Sequence, residues 1–132
     1  MAKRVLVVDD DENTVRFLSV ALRENGYDPI SAYDGEEGFK RVEESNPDLI
    51  LLDVILPGIS GFDVCRQLRR QPGTDQIPVI VVTAKAAPID KVLWMNVAQV
   101  DDYVTKPFGP HDLLTSVERV LARHAGRVPA SL

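Results

Sequence analysis

The run Leu49–Gly58, LILLDVILPG, constrains this chain more than any other stretch. Large aliphatic residues lead straight into one carboxylate, Asp53, and Pro57–Gly58 close the stretch. A continuous apolar run bounded by turn residues is the pattern of a strand buried on both faces, and such strands lie inside parallel sheets. Asp53 then falls at the strand's carboxyl end, the edge where open α/β sheets carry their ligands. A carboxylate at that point needs partners. The rest of the chain is therefore read for groups that can reach it.

Arg4–Val8 is a second apolar run, and it ends on Asp9, Asp10 and Asp11. A helix is expected from about Glu12 to Asn25, with Val15, Leu18, Ala21 and Leu22 as its apolar stripe and Gly26 as its stop. Asp28–Ala32 reads as a short strand. Asp34 is placed to cap a helix running to about Ser45, with Phe39 and Val42 inward. Gly38 inside that helix costs about 1 kcal/mol against Ala. Gly61–Arg70 reads as a helix with Phe62, Cys65 and Leu68 on one side, and Gln71–Gln76 as a loop. Pro78–Thr83 is a fourth strand, ending on a hydroxyl. A helix from about Pro88 to Gln99 precedes a fifth strand, Asp101–Thr105, which Lys106 follows. The last helix starts near Pro110 and runs to about His124, with Leu113, Val117, Val120 and Leu121 inward. Residues 1–125 thus read as one domain and 126–132 as a tail.

Strands alternate with helices five times. That pattern implies an α/β fold: a doubly wound, five-stranded parallel sheet with right-handed crossovers and helices on both faces. With 132 residues, 45% of them hydrophobic, the chain can fill such a core. Its net charge of −5 argues against nucleic-acid binding by this domain, because phosphate contacts need clustered Lys and Arg. One cysteine, Cys65, leaves no intrachain disulfide and no cysteine metal cage. No apolar run is long enough to span a bilayer, and the N-terminal MAKRVLVVDDD turns acidic too soon for a signal peptide. A cytoplasmic location with no membrane partner is the expectation.

In a parallel sheet the strand ends share one edge. Asp9–Asp11, Asp53, Thr83 and Lys106 therefore converge there. Carboxylates held together repel, which raises the pKa of one of them unless a cation is present. Hard oxygen ligands with room for water suit Mg2+. With the metal bound, an ionised Asp53 can attack a phosphoryl group, while Lys106 and the Thr83 hydroxyl stabilise charge on the phosphoryl oxygens.

These stretches resemble one known family, the receiver domains of two-component response regulators. VLVVDDD is similar to that family's acidic pair, and LLDVILPGISG to its phosphoacceptor strand and loop. VVTAKA matches its hydroxyl position and DDYVTKPF its lysine–proline stretch. Each motif alone is weak; the four in order are specific, and the likeness covers roughly Lys3 to His124. The resemblance implies a flavodoxin-like sheet of strand order 2-1-3-4-5, which the chemotaxis members of the family exemplify and which the residues alone do not give. It implies that Asp53 accepts phosphate from a histidine kinase or a histidine phosphotransfer protein. It implies Mg2+ held by Asp10 directly, by Asp9 through water, by Asp53, and by the backbone carbonyl of Ile55. Thr83 and Lys106 would hold the phosphoryl group, and Lys106–Pro107 would be a cis peptide. Thr83 and Tyr103 would form a coupled switch that alters the face made by the expected fourth and fifth helices and the fifth strand. That face would meet an effector or a second copy of the chain. The chain would be a signalling domain that assists its own phosphotransfer and dephosphorylation rather than an enzyme.

Simpler readings stand beside these. Asp11 suits a solvated helix start. Asp101 and Asp102 lie at a strand's start, the edge away from the site, and read as turn residues. Tyr103 suits ordinary packing as well as a switch, and Cys65 suits the core. His111 and His124 lack metal-site spacing. A haloacid-dehalogenase-type phosphohydrolase would use Asp9 and Asp11, but it leaves Asp53 without a role and needs more chain. A flavodoxin-like electron carrier would need a phosphate loop where three acids stand. A receiver-like interaction module that is never phosphorylated is the third rival. The chain also departs from the family: Gln99 and Val100 replace the usual Gly-Ala, and Trp94 stands at a position often small. Trp94 falls opposite Ile89, Val92, Leu93, Val97 and Val100 on a helical wheel, which suits a partner anchor and equally a ring laid flat over its own domain's side chains. In the family, the positions of Ile55 and Lys85 flank the path of the hydrolytic water. An apolar Ile55 cannot orient that water, so slow loss of phosphate is expected.

Overall fold

The computed structural model describes residues 2–54, 56–84, 95–96 and 99–125. Ile55, Lys85, Trp94, the tail from residue 126 and most of the helix expected from Pro88 to Gln99 lie outside those residues.

The described chain alternates β1 (Arg4–Val8), α1 (Glu12–Glu24), β2 (Asp28–Ala32), α2 (Gly35–Ser45), β3 (Leu49–Leu52), α3 (Gly61–Arg70), β4 (Val79–Thr83) and β5 (Asp102–Thr105), then a C-terminal helix, Pro110–Ala125. The five strands form one parallel sheet in the order β2-β1-β3-β4-β5. This is the expected α/β architecture, strand order included.

Alternation along the strands explains the two faces. Val5, Val7, Leu49, Leu51, Ile80 and Val82 point to one side and pack on Val15, Leu18 and Leu22 of α1 and on Leu113, Val117 and Val120 of the C-terminal helix. Leu6, Val8, Ile50, Leu52, Val79 and Val81 point to the other, against Val42 of α2 and Val64, Cys65 and Leu68 of α3. β1, β3 and β4 are covered on both faces, so their runs are apolar throughout apart from the exposed Arg4 that opens β1 and Thr83 that closes β4.

The helices start where short polar side chains can take up their free N–H groups. Asp11 accepts from the Asn13 N–H at 2.9 Å, Asp34 from Glu37 at 2.7 Å and Ser60 from Asp63 at 3.2 Å. Gly26, with φ +87°, ends α1 as expected. Gly38 is used for packing: it lies against Val8 of β1. Some boundaries differ from expectation; β4, for one, begins at Val79 rather than Pro78. β5 begins at Asp102 rather than Asp101, because the Asp101 side chain caps the Val79 N–H at 2.9 Å instead of continuing the strand. The expected fourth helix does not reach Gln99, whose φ of +56° is left-handed.

Candidate functional site

Register carries the site residues to one edge. Val8 is level with Leu52 and Leu52 with Val81, so Asp9 and Asp53 leave adjacent strands side by side. The Asp53 N–H donates to the Val8 carbonyl at 2.9 Å, and the Asp9 N–H to the Ala32 carbonyl at 3.1 Å. Thr83 ends β4 level with Thr105, and the Lys106 N–H donates to the Thr83 carbonyl at 2.8 Å. Backbone ladders, rather than loop choices, thus aim these side chains.

Asp9 and Asp53 are buried, at 2% and 8% exposure, and Thr83 is fully buried, while Asp10 is exposed. One carboxylate oxygen from each of Asp9, Asp10 and Asp53 lies within 4.8 Å of the other two. Lys106 reaches into the cluster. Its Nζ donates to Asp9 Oδ2 at 2.9 Å and to Asp53 Oδ2 at 3.3 Å. The other Asp9 oxygen accepts the Asp11 N–H at 3.0 Å. Partial burial works against the Lys106 ammonium, but the Asp9 hydrogen bond and the nearby Asp53 charge outweigh it and push its pKa up. The amine is therefore a fixed positive charge between two acids at neutral pH.

The set is compatible with a divalent ion. Its donors are carboxylate oxygens, it is closed on the Asp9 side and open on the Asp10 side, and hard oxygen ligands with solvent access suit Mg2+. Ile55 belongs to the expected ligand set but lies outside the described residues.

The sequence reading missed a role for Gly61. This first residue of α3 seats the helix directly against the end of β3, since a Cβ there would stand 2.5 Å from the Asp53 carbonyl oxygen. A glycine at a helix start where most residues would serve is the one signal of it.

The other named residues lie elsewhere. Tyr103 is buried among Val100, Val79 and Val81 in the core. Lys106–Pro107 is a cis peptide. Asp11 is the exposed cap of α1, as expected, and its pKa is lowered chiefly by the Asn13 N–H. Asp101 and Asp102 are at the opposite edge, as expected, but they are not mere turn residues. Asp101 pairs with His124 at 2.8 Å and with Arg69 at 3.5 Å. Asp102 accepts from the Ser116 hydroxyl and, at 2.5 Å, from Arg119. Their partners sit far along the chain, where spacing could not reveal them.

Residues 5–118 match the family described as the response regulator receiver domain. The chain is 45% identical over 131 residues to the alkaline phosphatase synthesis transcriptional regulatory protein PhoP of Bacillus subtilis (strain 168), covering 99% of this chain and 53% of that protein. It therefore spans about half the length of that curated relative. A response regulator receiver domain protein (CheY-like) from Methanospirillum hungatei JF-1 superimposes with a TM-score of 0.87 at 29% identity, over 95% of this chain and 98% of that one. The Francisella response regulator 1452 receiver domain does so with a TM-score of 0.85 at 32% identity, over 92% and 98%. Motifs, sheet order and these likenesses agree: the chain belongs to the receiver domain family of two-component response regulators.

Proposed function

We propose that this chain receives a phosphoryl group on Asp53, with residues 1–125 as the phosphoacceptor domain and 126–132 as a tail. The observation that carries this reading is the shared amine: Lys106 Nζ is bonded at once to Asp9 and to Asp53, both buried. Two buried acids at one strand edge, with an ammonium between them, form a site that gains by admitting a cation and a charged substrate.

The Asp53 carboxylate attacks the phosphorus of a phosphohistidine on a histidine kinase or histidine phosphotransfer protein. The P–N bond breaks, the imidazole nitrogen keeps the electron pair, and an acyl phosphate forms on Asp53. Lys106 is close enough to follow the transferred oxygens and pair with them, and Thr83, at the next strand's end, supplies a hydroxyl donor. Asp10 would hold Mg2+ directly, Asp9 through water and Asp53 by its carboxylate, and the family resemblance would add the backbone carbonyl of Ile55. When bound, the ion neutralises charge that gathers on the phosphoryl oxygens. The same groups assist hydrolysis of the acyl phosphate, so the domain affects its own lifetime in the signalling state.

Thr83 and Tyr103 couple this site to the surface made by the expected fourth helix, β5 and the C-terminal helix. An effector or a second copy of the chain reads that surface. PhoP is named as a transcriptional regulator, and a similar output is the reading for a protein containing this chain. Among the described residues no helix is long and apolar enough to cross a membrane, which accords with a cytoplasmic site of action. The test is transfer from a phosphorylated histidine kinase. The parent with Mg2+ takes up label; Asp53→Asn, and the parent with a chelator, do not. Uptake by Asp53→Asn equal to the parent's would reject the reading.

A further inference from the structure

The edge of the sheet opposite Asp53 carries a second polar assembly, centred on Arg69. Arg69 lies in the last turn of α3 and is largely buried, with 15% of its side chain exposed. Its Nε and Nη2 both donate to the Gln99 carbonyl, at 3.3 and 3.1 Å. Its Nη1 donates to the carbonyls of Ile77 at 2.7 Å and Asp75 at 3.3 Å. Nη2 also faces Asp101 Oδ2 at 3.5 Å. The whole planar fork is thus spent on the two segments that lead into β4 and β5.

Gln99 takes two of those donors, and Gln99 is strained. Its φ of +56° lies in the left-handed region, which side chains other than glycine disfavour. Two residues later, Asp101 locks onto β4. Its N–H donates to the Val79 carbonyl at 2.7 Å, and its carboxylate accepts the Val79 N–H at 2.9 Å. His124 and Arg123 of the C-terminal helix hold Asp101 from the other side, at 2.8 Å to its carboxylate and 3.3 Å to its carbonyl. β5 itself is short, Asp102–Thr105, and lies at the sheet's edge, bonded to β4. A strand of that length with one neighbour has few ladder bonds of its own, so what fixes its ends bears on where it lies. One end is this assembly; the other is the Lys106 N–H on the Thr83 carbonyl at 2.8 Å.

We propose that Arg69 is a positioning residue: by gripping the Gln99 carbonyl it holds the left-handed turn before β5, and so sets from the opposite edge where β5 delivers Lys106. In its last step this rests on the role given to Lys106 above; the grip itself does not. A lysine cannot replace it, because an ammonium lacks the flat fork that meets several carbonyls at once. A glycine at position 99 removes the strain that the grip holds in place.

The experiment combines amide hydrogen exchange with the rate of phosphate uptake from a small acyl phosphate and Mg2+, in the parent, Arg69→Gln, Arg69→Lys, Gln99→Gly and Arg69→Gln/Gln99→Gly. Arg69→Gln speeds exchange at the Asp101 and Tyr103 amides by about tenfold, the loss of one charge-assisted grip, and by much less at Leu6 and Leu51. Arg69→Lys behaves like Arg69→Gln, although it keeps the charge beside Asp101. Phosphate uptake slows in both, and adding Gln99→Gly to Arg69→Gln recovers part of both losses. Equal acceleration across the whole sheet, no recovery on adding Gln99→Gly, or faster β5 exchange with unchanged uptake would each overturn the proposal. Should the parent itself take up no phosphate, the reading of Asp53 fails, while the exchange pattern still decides for or against the grip.

Discussion

Alanine at position 61 would place a Cβ 2.5 Å from the Asp53 carbonyl oxygen, 3.1 Å from Val54 Cα and 3.3 Å from the Val54 carbonyl oxygen. Ordinary contact begins at 3.4 Å, so something must give by about 0.9 Å (3.4 − 2.5). All three atoms are backbone, and no rotamer change relieves them. Either α3 or the end of β3 must move, at a cost of about 1–3 kcal/mol, the range for overpacked sites. Alanine at position 38 is the same chemical change with the opposite result. Its Cβ would meet Val8 Cγ2 at 3.4 Å and Cγ1 at 3.5 Å, which is contact without displacement. Gly38 is inside α2, so the helix gains up to about 1 kcal/mol. For a chain of this size 1 kcal/mol moves Tm by roughly 3–6 °C. Urea unfolding with linear extrapolation measures both variants directly. Gly61→Ala should lose stability and Gly38→Ala should gain it, with the slope against urea unchanged. Phosphate uptake should slow in Gly61→Ala, because the displaced atoms belong to Asp53 and its neighbour. The same sign for both variants, or a neutral Gly61→Ala, would refute the packing argument.

Three further outcomes follow from the site and its surroundings. Mg2+ should raise Tm by mass action; Asp10→Ala should shrink that rise, and Lys106→Met, which removes the amine bonded to Asp9 and Asp53, should enlarge it. Loss of phosphate from the labelled chain after donor removal should be faster in Ile55→Asn by roughly ten- to thirty-fold, the worth of one water-orienting contact of about 1–2 kcal/mol, with Mg2+ binding unchanged. Burial alone would raise the Asp102 pKa, but hydrogen bonds from Ser116, the Tyr103 N–H and Arg119 outweigh it and hold the carboxyl below its usual value. A carboxylate lowered in the folded chain stabilises it above an unfolded pKa of about 3.9, and that stability is lost as pH falls through the lower folded value. Asp102→Asn should therefore cost stability at neutral pH, roughly 1 kcal/mol or less given the exposed Arg119, and flatten the decline of stability below about pH 4 in a melting series.

What the sequence disclosed and what it hid divide along a physical line. Strands buried on both faces announce themselves as unbroken aliphatic runs, and LILL and RVLVV became β3 and β1 within a residue. Caps are local too: Asp34 and Gly26 do in the structure what their positions implied. The convergence of Asp9, Asp53, Thr83 and Lys106 followed from parallel strands alone, because every strand end lies on one edge. Strand order did not; it came from likeness to a family, since nothing in an apolar run names its neighbour. Hidden altogether were contacts between residues far apart in sequence. Nothing in the sequence singles out Arg69 within its helix, and Asp101 reads as a turn residue. Their pairing, between α3, the segment before β5 and the C-terminal helix, needs the fold first. Gln99 was conspicuous as a departure from Gly-Ala, but its left-handed backbone and the guanidinium that holds it were not legible.

The central claim is that Asp53 carries the phosphoryl group, and locating that group tests it most directly. The chain is incubated with a small acyl phosphate and Mg2+, reduced with borohydride to trap an acyl phosphate, digested, and read by mass spectrometry. The account requires the trapped residue to be Asp53, with no such product when Mg2+ is chelated. Label on Asp9, Asp10 or Asp11 with Asp53 intact, or a phosphoryl group on a hydroxyl or histidine instead, would contradict it.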